Sequence, residues 1–266
     1  MLLFRLFLWL LFSLSVTSSA VSEVSRAKVA QHLASGRIPL DARPECARME
    51  EHDPLTVWKA GTIVKEEDVR AFGVDRCFAS EILSDQVFCR MQGKSYKAHC
   101  PIPRTSLRYL KVLHRNAGGE ILLGEIVCNK AIANDLLQIF RQLYDASYPI
   151  ERMVLVDDYD ANDEKSMQAN NTSCFNYRYV SGSSTLSKHS KGMAIDINPL
   201  YNPYVKRGKD GKLKVSPAQA RAYVERNVAC PYLLKRDDLC CQLFIRNGFT
   251  WGGDWKTMKD YQHFEK

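Results

Sequence analysis

The segment from Ser187 to Asp196 constrains this chain more than any other part of its sequence. It reads S-K-H-S-K-G-M-A-I-D, so a histidine, a glycine and an aspartate stand at fixed spacing around a short apolar run. A histidine by itself is more often a structural residue than a ligand. A histidine and a carboxylate that one short segment can bring together form part of a zinc site.

The apolar run at residues 192–197 predicts a short strand. Its odd-numbered apolar side chains would fill a core on one face, while Ala194 and Asp196 would project from the other face. Gly192 allows the backbone to turn or to pack closely, because it has no side chain. His189, just before the strand, can therefore fold back beside Asp196.

A second distinctive segment closes the chain, with W-G-G-D-W at residues 251–255 and D-Y-Q-H-F-E at residues 260–265. Asp260 and His263 would share one face of a helical turn. In a straight strand they would point to opposite faces, so a turn near Tyr261 would then be required. The residues leave both alternatives open. Three ligands, His189, Asp196 and His263, would leave the fourth zinc position to water, as in catalytic sites.

Together the two segments resemble the zinc peptidases of the D-alanyl-D-alanine carboxypeptidase family. That family includes L-alanyl-D-glutamate endopeptidases and vancomycin-resistance dipeptidases, and it is related to lysostaphin-type peptidases and the hedgehog domain. The S-x-H-x-x-G-x-A-x-D string is complete here. The closing D-x-x-H resembles the branch that has Asp where the dipeptidases have Glu. The resemblance covers roughly Leu107 to the C terminus.

The resemblance implies one zinc ion per chain, bound by His189, Asp196 and His263, with Asp260 as the general base. It also implies that Arg178 stabilises the reacting carbonyl; a surface salt bridge is the alternative, since the spacing to this arginine varies among relatives. Ser187 either orients the loop or contacts substrate. The side chains expected to shape the cleft, with the core as the alternative for the tryptophans, are Trp251, Asp254 and Trp255.

The function that the resemblance implies is hydrolysis of an amide bond in peptidoglycan stem peptides. Both the terminal D-Ala-D-Ala bond and the internal L-Ala-D-Glu bond are compatible with it. The alternative is a non-catalytic, zinc-containing cell-wall-binding or signalling module of the same fold. Retention of Asp260 favours catalysis, because a purely structural zinc site needs no base. The motifs of serine hydrolases and of H-E-x-x-H metallopeptidases are missing.

The N terminus predicts export. Residues 1–20 contain Arg5, an apolar core and a small-residue cleavage site, which is the pattern of a secretory signal peptide. We therefore expect a periplasmic or secreted protein without a stable membrane anchor after cleavage. Residues 21–104 are interpreted as an N-terminal extension of unknown role, and residues 105–266 as the zinc metallopeptidase domain.

The order of predicted elements indicates an α+β fold, and the resemblance implies a mixed, mainly antiparallel sheet with flanking helices, as in hedgehog and D-Ala-D-Ala peptidase domains. Apolar patterns predict strands at residues 120–127, 150–156 and 192–197. They predict helices at residues 130–144, with Asn129 as the cap, at residues 217–227, with Ser216 as the cap and Pro217 first, and at residues 238–247.

Charge and cysteine content limit the possible partners. The net charge of +7 is spread along the chain except for one basic run, Lys206 to Lys214. This is no nucleic-acid-binding signature, although mild attraction to an anionic cell-wall polymer is physically allowed. The nine cysteines include no C-x-x-C pair, and they are interpreted as structural thiols or disulfides whose pairing the sequence does not determine.

Overall fold

The structure is a computed structural model that describes residues 53–180 and 183–266. These residues belong to one unit of the chain. The predicted signal peptide and residues 21–52 of the predicted extension lie outside the described residues. Within the described part, no helix combines the length and apolar character needed to cross a membrane.

Three antiparallel sheets organise the described part of the chain. The strands are β1 Ile63–Val64, β2 Ala79–Ile82, β3 Leu107–Arg115, β4 Ile121–Asn129, β5 Ala194–Asp196, β6 Tyr204–Arg207, β7 Leu213–Ser216, β8 Thr250–Trp251, β9 Lys259–Asp260 and β10 His263–Glu265. The largest sheet has the order β1-β4-β3-β2, and the two smaller sheets have the orders β5-β10-β8 and β7-β6-β9.

Helices flank these sheets. They are α1 Pro54–Val57, α2 Glu66–Phe72, α3 Asp85–Met91, α4 Ala133–Asp145, α5 Asp163–Gln168 and α6 Leu239–Arg246. Short 3₁₀ helices lie at Val74–Cys77, Arg104–Ser106, Val156–Tyr159, Lys188–Lys191, Ala218–Tyr223 and Gly252–Asp254. The longest helix, α4, buries its apolar residues at helical spacing and packs against β3 and α6.

The main core connects the large sheet to the β5-β10-β8 sheet. It contains buried side chains from β3, β4, α4, α6 and the three strands of the smaller sheet. Ile195 of β5 lies opposite Phe264 of β10, and both are fully buried. The ring of Phe264 stacks on Phe244 of α6 with centroids 4.2 Å apart. One face of the smaller sheet is therefore fixed by apolar packing.

The α+β class with antiparallel sheets and helices is confirmed. Four predicted elements are present with shifted ends, namely β4, β5, α4 and α6. Asp238 caps α6, since its Oδ1 accepts a hydrogen bond from the Cys241 backbone N at 2.9 Å. Asn129 caps only the turn before α4, by accepting from the Ala131 N at 3.0 Å.

Two predicted elements are wrong. Within residues 150–156 a single isolated bridge, between Arg152 and Asn171, replaces the strand, because the Asn171 side chain bonds both the N and the O of Val154, at 2.9 and 3.0 Å. The helix predicted at residues 217–227 is a 3₁₀ helix over Ala218–Tyr223. Ser216 does not cap it; this residue ends β7, and its hydroxyl donates to Glu164.

The predicted division between residues 104 and 105 stays a prediction about the extent of the peptidase domain. Residues on both sides of it share the large sheet, since β2 and β1 form its edges and β3 and β4 its centre. Eight of the nine cysteines lie in the described residues, all as free thiols and most of them buried.

Candidate metal centre

Strand pairing explains how two distant segments meet. In the antiparallel register of β5 and β10, His263 lies directly opposite Asp196. Directly opposite residues project from the same face of a sheet. Since Ile195 and Phe264 face the core, Asp196 and His263 face away from it, as alternation along the strand predicts.

The loop before β5 places His189 over this pair. The Ser187 hydroxyl accepts a hydrogen bond from the His189 backbone N at 3.3 Å and caps the 3₁₀ helix Lys188–Lys191. Gly192 then turns the chain with a φ of 65°, and a Cβ there would lie 2.6 Å from the Asn129 backbone N. Asn129 also bonds the Gly192 and Lys191 carbonyls. Glycine is required at this position for both reasons.

The three candidate ligands lie within one small cluster. His189 Nε2 is 3.2 Å from His263 Nδ1 and 3.3 Å from Asp196 Oδ1. His263 Nδ1 is 3.1 Å from the same Asp196 oxygen. Both histidines are buried, and the Asp196 side chain is 14% exposed.

The outer nitrogen of each imidazole is held by an acceptor. His189 Nδ1 lies 2.6 Å from the Cys174 carbonyl oxygen, and His263 Nε2 lies 3.1 Å from Glu265 Oε2. An N–H that donates outward leaves a lone pair on the inner nitrogen. The surroundings of both rings therefore select the tautomers that a metal ion needs.

Electrostatics in the cluster favour a bound cation. Burial raises the pKa of Asp196, but the charges and hydrogen bonds of His189 and His263 outweigh burial and hold it well below its usual range. Burial lowers the pKa of His263, but its hydrogen bonds to Asp196 and Glu265 outweigh burial and raise it to about 10. Without a metal, the cluster therefore retains a proton on His263.

The donor set fits zinc. Two imidazole nitrogens and one carboxylate oxygen are typical zinc ligands, and about 2.05 Å from an ion at tetrahedral angles they would lie about 3.3 Å apart. The distances of 3.1 to 3.3 Å agree with that spacing. A set of three protein ligands is typical of catalytic zinc sites, whereas structural sites have four.

Asp260 lies beside this cluster, on the strand that precedes β10. A turn at Tyr261 and Gln262 separates β9 from β10, which is the second of the two arrangements that the sequence left open. Gly252 makes room for it, because a Cβ there would lie 2.5 Å from the Asp260 carbonyl oxygen. Burial raises the pKa of Asp260 to about 7, and the charge of His263 opposes that rise.

One oxygen of Asp260 is positioned to accept a proton. Asp260 Oδ1 is buried and has no hydrogen-bond partner among the residues that the structure describes. A buried, unpaired carboxylate oxygen is costly unless another molecule bonds to it.

Arg178 forms an ion pair with Asp163. Its backbone N donates a hydrogen bond to the hydroxyl of Ser190, the residue after His189, at 2.8 Å. The terminal guanidinium nitrogens form no hydrogen bond with any described residue. The ion pair is the alternative that the sequence analysis kept, and a role toward the substrate stays a prediction.

The structure separates the remaining predicted residues. Trp251 is buried in the core and donates from Nε1 to the Tyr261 carbonyl at 2.8 Å. Trp255 lies against His263, with ring centroids 5.4 Å apart. Asp254 is exposed and pairs with Arg236 at 3.0 Å. Substrate contacts by these residues and by Ser187 stay predictions.

Sequence reasoning missed the residues that orient the ligands. Glu265 carried a usable signal, since it stands two residues after His263 and strand alternation places both on one face. The Cys174 carbonyl carried none, because a backbone acceptor leaves no mark on residue type. Asn129 looked like a helix cap, and its bonds to the ligand loop were not predicted.

Comparison with known families identifies the segment that carries this cluster. Residues 181–266 match a family model described as D-alanyl-D-alanine carboxypeptidase. This part of the chain is similar to that peptidase family. The match includes His189, Asp196, Asp260 and His263 but begins after Arg178. No curated protein and no solved structure matches the chain.

Proposed function

We propose that the chain is a secreted zinc metallopeptidase that hydrolyses an amide bond in peptidoglycan stem peptides. The observation that carries the proposal is the convergence of His189, Asp196 and His263 within 3.1 to 3.3 Å, in a segment that matches a peptidase family model. The signal-peptide pattern at residues 1–20 supports a periplasmic or extracellular location, where this substrate occurs.

His189, Asp196 and His263 would hold the metal. Zinc in such a site acidifies water and polarises a carbonyl. Asp260 would take the proton of the attacking water and return it to the leaving amine. Its raised pKa suits that exchange, because a base titrating near neutral pH can both accept and release a proton.

Arg178 would stabilise negative charge on the substrate carbonyl oxygen. Asp163 fixes its guanidinium, and the hydrogen bond from its backbone to Ser190 fixes the segment next to the ligand loop. An arginine held in this way presents its terminal nitrogens without a large loss of side-chain freedom.

A non-catalytic zinc module is the alternative function. Its ligands would need the same geometry, but it would need no base beside them. Asp260, with one buried oxygen lacking a described partner, favours the peptidase, because that oxygen can accept a proton from a water molecule bound beside it, as a general base does.

The test is incubation of the purified, zinc-loaded protein with peptidoglycan, followed by mass spectrometry of the released fragments. We expect new amino termini in the sample without chelator and none in the sample with chelator. The His189→Ala protein is the matched control. Zinc bound at one equivalent without any new amine would support the non-catalytic module instead.

A further inference from the structure

Arg226 is a partly buried cation whose hydrogen bonds all go to neutral oxygens. Its Nη1 donates to the carbonyls of Tyr201 and Tyr223, at 2.8 and 3.1 Å. Its Nη2 donates to Asn202 Oδ1 and to the Leu234 carbonyl, at 2.6 and 2.8 Å. It forms no ion pair with any described residue. A cation removed from water without a counter-charge costs free energy, and burial accordingly lowers the pKa of Arg226 to about 10.

The same guanidinium lies over an aromatic ring beside the candidate base. Its central carbon is 4.3 Å from the ring centroid of Tyr261, a cation–π contact that gains strength where the cation is desolvated. Tyr261 follows Asp260 directly, in the turn between β9 and β10. The backbone of Tyr261 is also held, since its N donates to the Pro203 carbonyl at 3.3 Å and its carbonyl accepts from Trp251 Nε1 at 2.8 Å. Arg226 therefore fixes the side chain of a turn whose backbone is fixed by other groups.

Asn202 connects this guanidinium to the other strand of the cluster. Asn202 is fully buried, and its Nδ2 donates to the carbonyls of the two residues that follow β5, Ile197 and Asn198, at 3.4 and 2.9 Å. The Ile197 N donates in turn to the Gln262 carbonyl at 2.9 Å. The contacts of Arg226 thus reach both chain segments that form the metal cluster, one through an amide and one through a ring.

We propose that Arg226 is a positioning residue, which holds the turn at Tyr261 so that the Asp260 carboxylate stays beside the metal cluster. The inference rests on the proposed function, because the position of a base matters only to a reaction. The described contacts of Arg226 include neither a candidate ligand nor Asp260 itself. A displacement of about 1 Å can reduce a catalytic rate about 10²-fold, so an indirect contact of this kind can have a large effect on kcat.

A purely structural role for Arg226 is the alternative, in which its bonds to carbonyls stabilise the surrounding loops and nothing more. Substitutions of Tyr261 separate the two roles. Tyr261→Leu removes the ring but none of the four hydrogen bonds of Arg226. Tyr261→Phe keeps a ring face for the cation and is the conservative variant that should restore function.

The first experiment measures kcat and KM of the zinc-loaded protein on a synthetic stem peptide. Arg226→Gln and Tyr261→Leu should each reduce kcat about 10- to 100-fold, with one zinc bound and KM nearly unchanged. Tyr261→Phe should retain kcat. Arg221→Gln is the matched control, because Arg221 is an exposed arginine close in sequence whose Nη2 donates to the Leu213 carbonyl at 3.4 Å; this variant should behave as the wild type.

Combined substitutions test whether Arg226 acts through Tyr261 and Asp260. Substitutions that remove one shared effect are not additive, so Arg226→Gln with Tyr261→Leu should lose no more kcat than either alone. Added to Asp260→Asn, Arg226→Gln should cause no further loss, because no base remains to be positioned. Full kcat in Arg226→Gln, or an equal fold-loss with and without the Asp260 carboxylate, would overturn the inference.

Hydrogen exchange separates failure of the inference from failure of the proposed function. The Ile197 N–H donates to the Gln262 carbonyl in the turn, so its exchange rate reports how firmly the turn is held. Arg226→Gln and Tyr261→Leu should speed this exchange about 2- to 30-fold, the scale of one cation–π contact, and Arg221→Gln should not. If Arg226→Gln does not fold, Tyr261→Leu carries both measurements.

The two readouts have distinct outcomes. If the wild type hydrolyses no stem peptide but exchange responds as expected, the proposed function fails and the holding of the turn by Arg226 stands. If the wild type is active but exchange and kcat are unchanged in Arg226→Gln and Tyr261→Leu, the proposed function stands and the inference is wrong.

Discussion

The buried carboxylates of Glu125 and Asp196 have opposite surroundings. Glu125 accepts two hydrogen bonds from Arg90, at 2.6 and 2.8 Å, one from the Tyr109 hydroxyl at 2.8 Å and one from the Leu155 N at 3.3 Å. Its charge is balanced by a cation within the protein. The Asp196 carboxylate contacts two imidazole nitrogens, at 3.1 and 3.3 Å, and an imidazole nitrogen becomes an acceptor when it loses its proton.

The comparison separates a structural cluster from a ligand cluster. A buried charge must be paired, and the Glu125 group meets that need with its own arginine. The charge of Asp196 is balanced either by an external cation or by a proton on a neighbouring imidazole. The raised pKa of His263 shows that, without a metal ion, this imidazole holds the proton. Because metal ligands must be deprotonated, a metal ion that binds this site displaces that proton.

The largest expected effect is loss of the metal. Replacing His189 with Ala removes one of three ligands, so we expect no stoichiometric zinc and activity no higher than that of chelator-treated wild type. Elemental analysis after gel filtration measures the zinc. His99→Ala is the control, since His99 is exposed and lies outside the cluster. One equivalent of zinc in His189→Ala would contradict the assignment.

The second effect concerns the base. Asp260→Asn should retain one zinc and reduce kcat about 10²- to 10⁴-fold, the usual contribution of a general base. In the wild type, kcat/KM should fall as the pH drops through the pKa of Asp260. That pKa is about 7 without metal, and a bound cation lowers it. Full activity in Asp260→Asn would remove Asp260 from the mechanism.

Local patterns predicted most of the candidate site. The strand at residues 192–197 places alternate side chains in the core, and the apolar spacing of α4 identifies its buried face, because both patterns follow directly from backbone geometry. The convergence of the two segments was expected from a resemblance to a family rather than from geometry. No local pattern specifies that His263 pairs with Asp196 across β5 and β10.

Interactions between side chains and backbone explain what the sequence could not reveal. Asn171 replaces a strand partner for Val154, so an apolar run that reads as a strand does not form one. The Cys174 carbonyl orients His189, and no residue type encodes it. The edge strands β1 and β2 were not predicted, because a strand of two to four residues carries too little hydrophobic periodicity to be recognised.

The third prediction tests the structural member of the comparison. Glu125→Ala leaves Arg90 without its buried partner, so we expect a loss of about 3 kcal/mol in the free energy of unfolding. Because Arg90 is 37% exposed, the loss should lie at the low end for buried pairs. Urea denaturation measures it. Zinc stoichiometry should be unchanged, and a loss of zinc at unchanged stability would reverse the two roles.

The smallest expected effect concerns Glu265, which orients His263 without being a ligand. Glu265→Gln keeps the shape and an acceptor oxygen but removes the charge, so zinc affinity should fall about 10- to 100-fold with one equivalent still bound at saturation. Competition with a chromophoric chelator measures the affinity. Asp254→Asn is the matched control, because this exposed carboxylate pairs with Arg236 and its loss should leave zinc affinity unchanged.

Two outcomes would contradict the orienting role of Glu265. Equal effects of both substitutions would mean that Glu265 acts only through the overall charge of the cleft. Unchanged affinity in Glu265→Gln would show that packing against Trp255 and the core is sufficient to hold the imidazole.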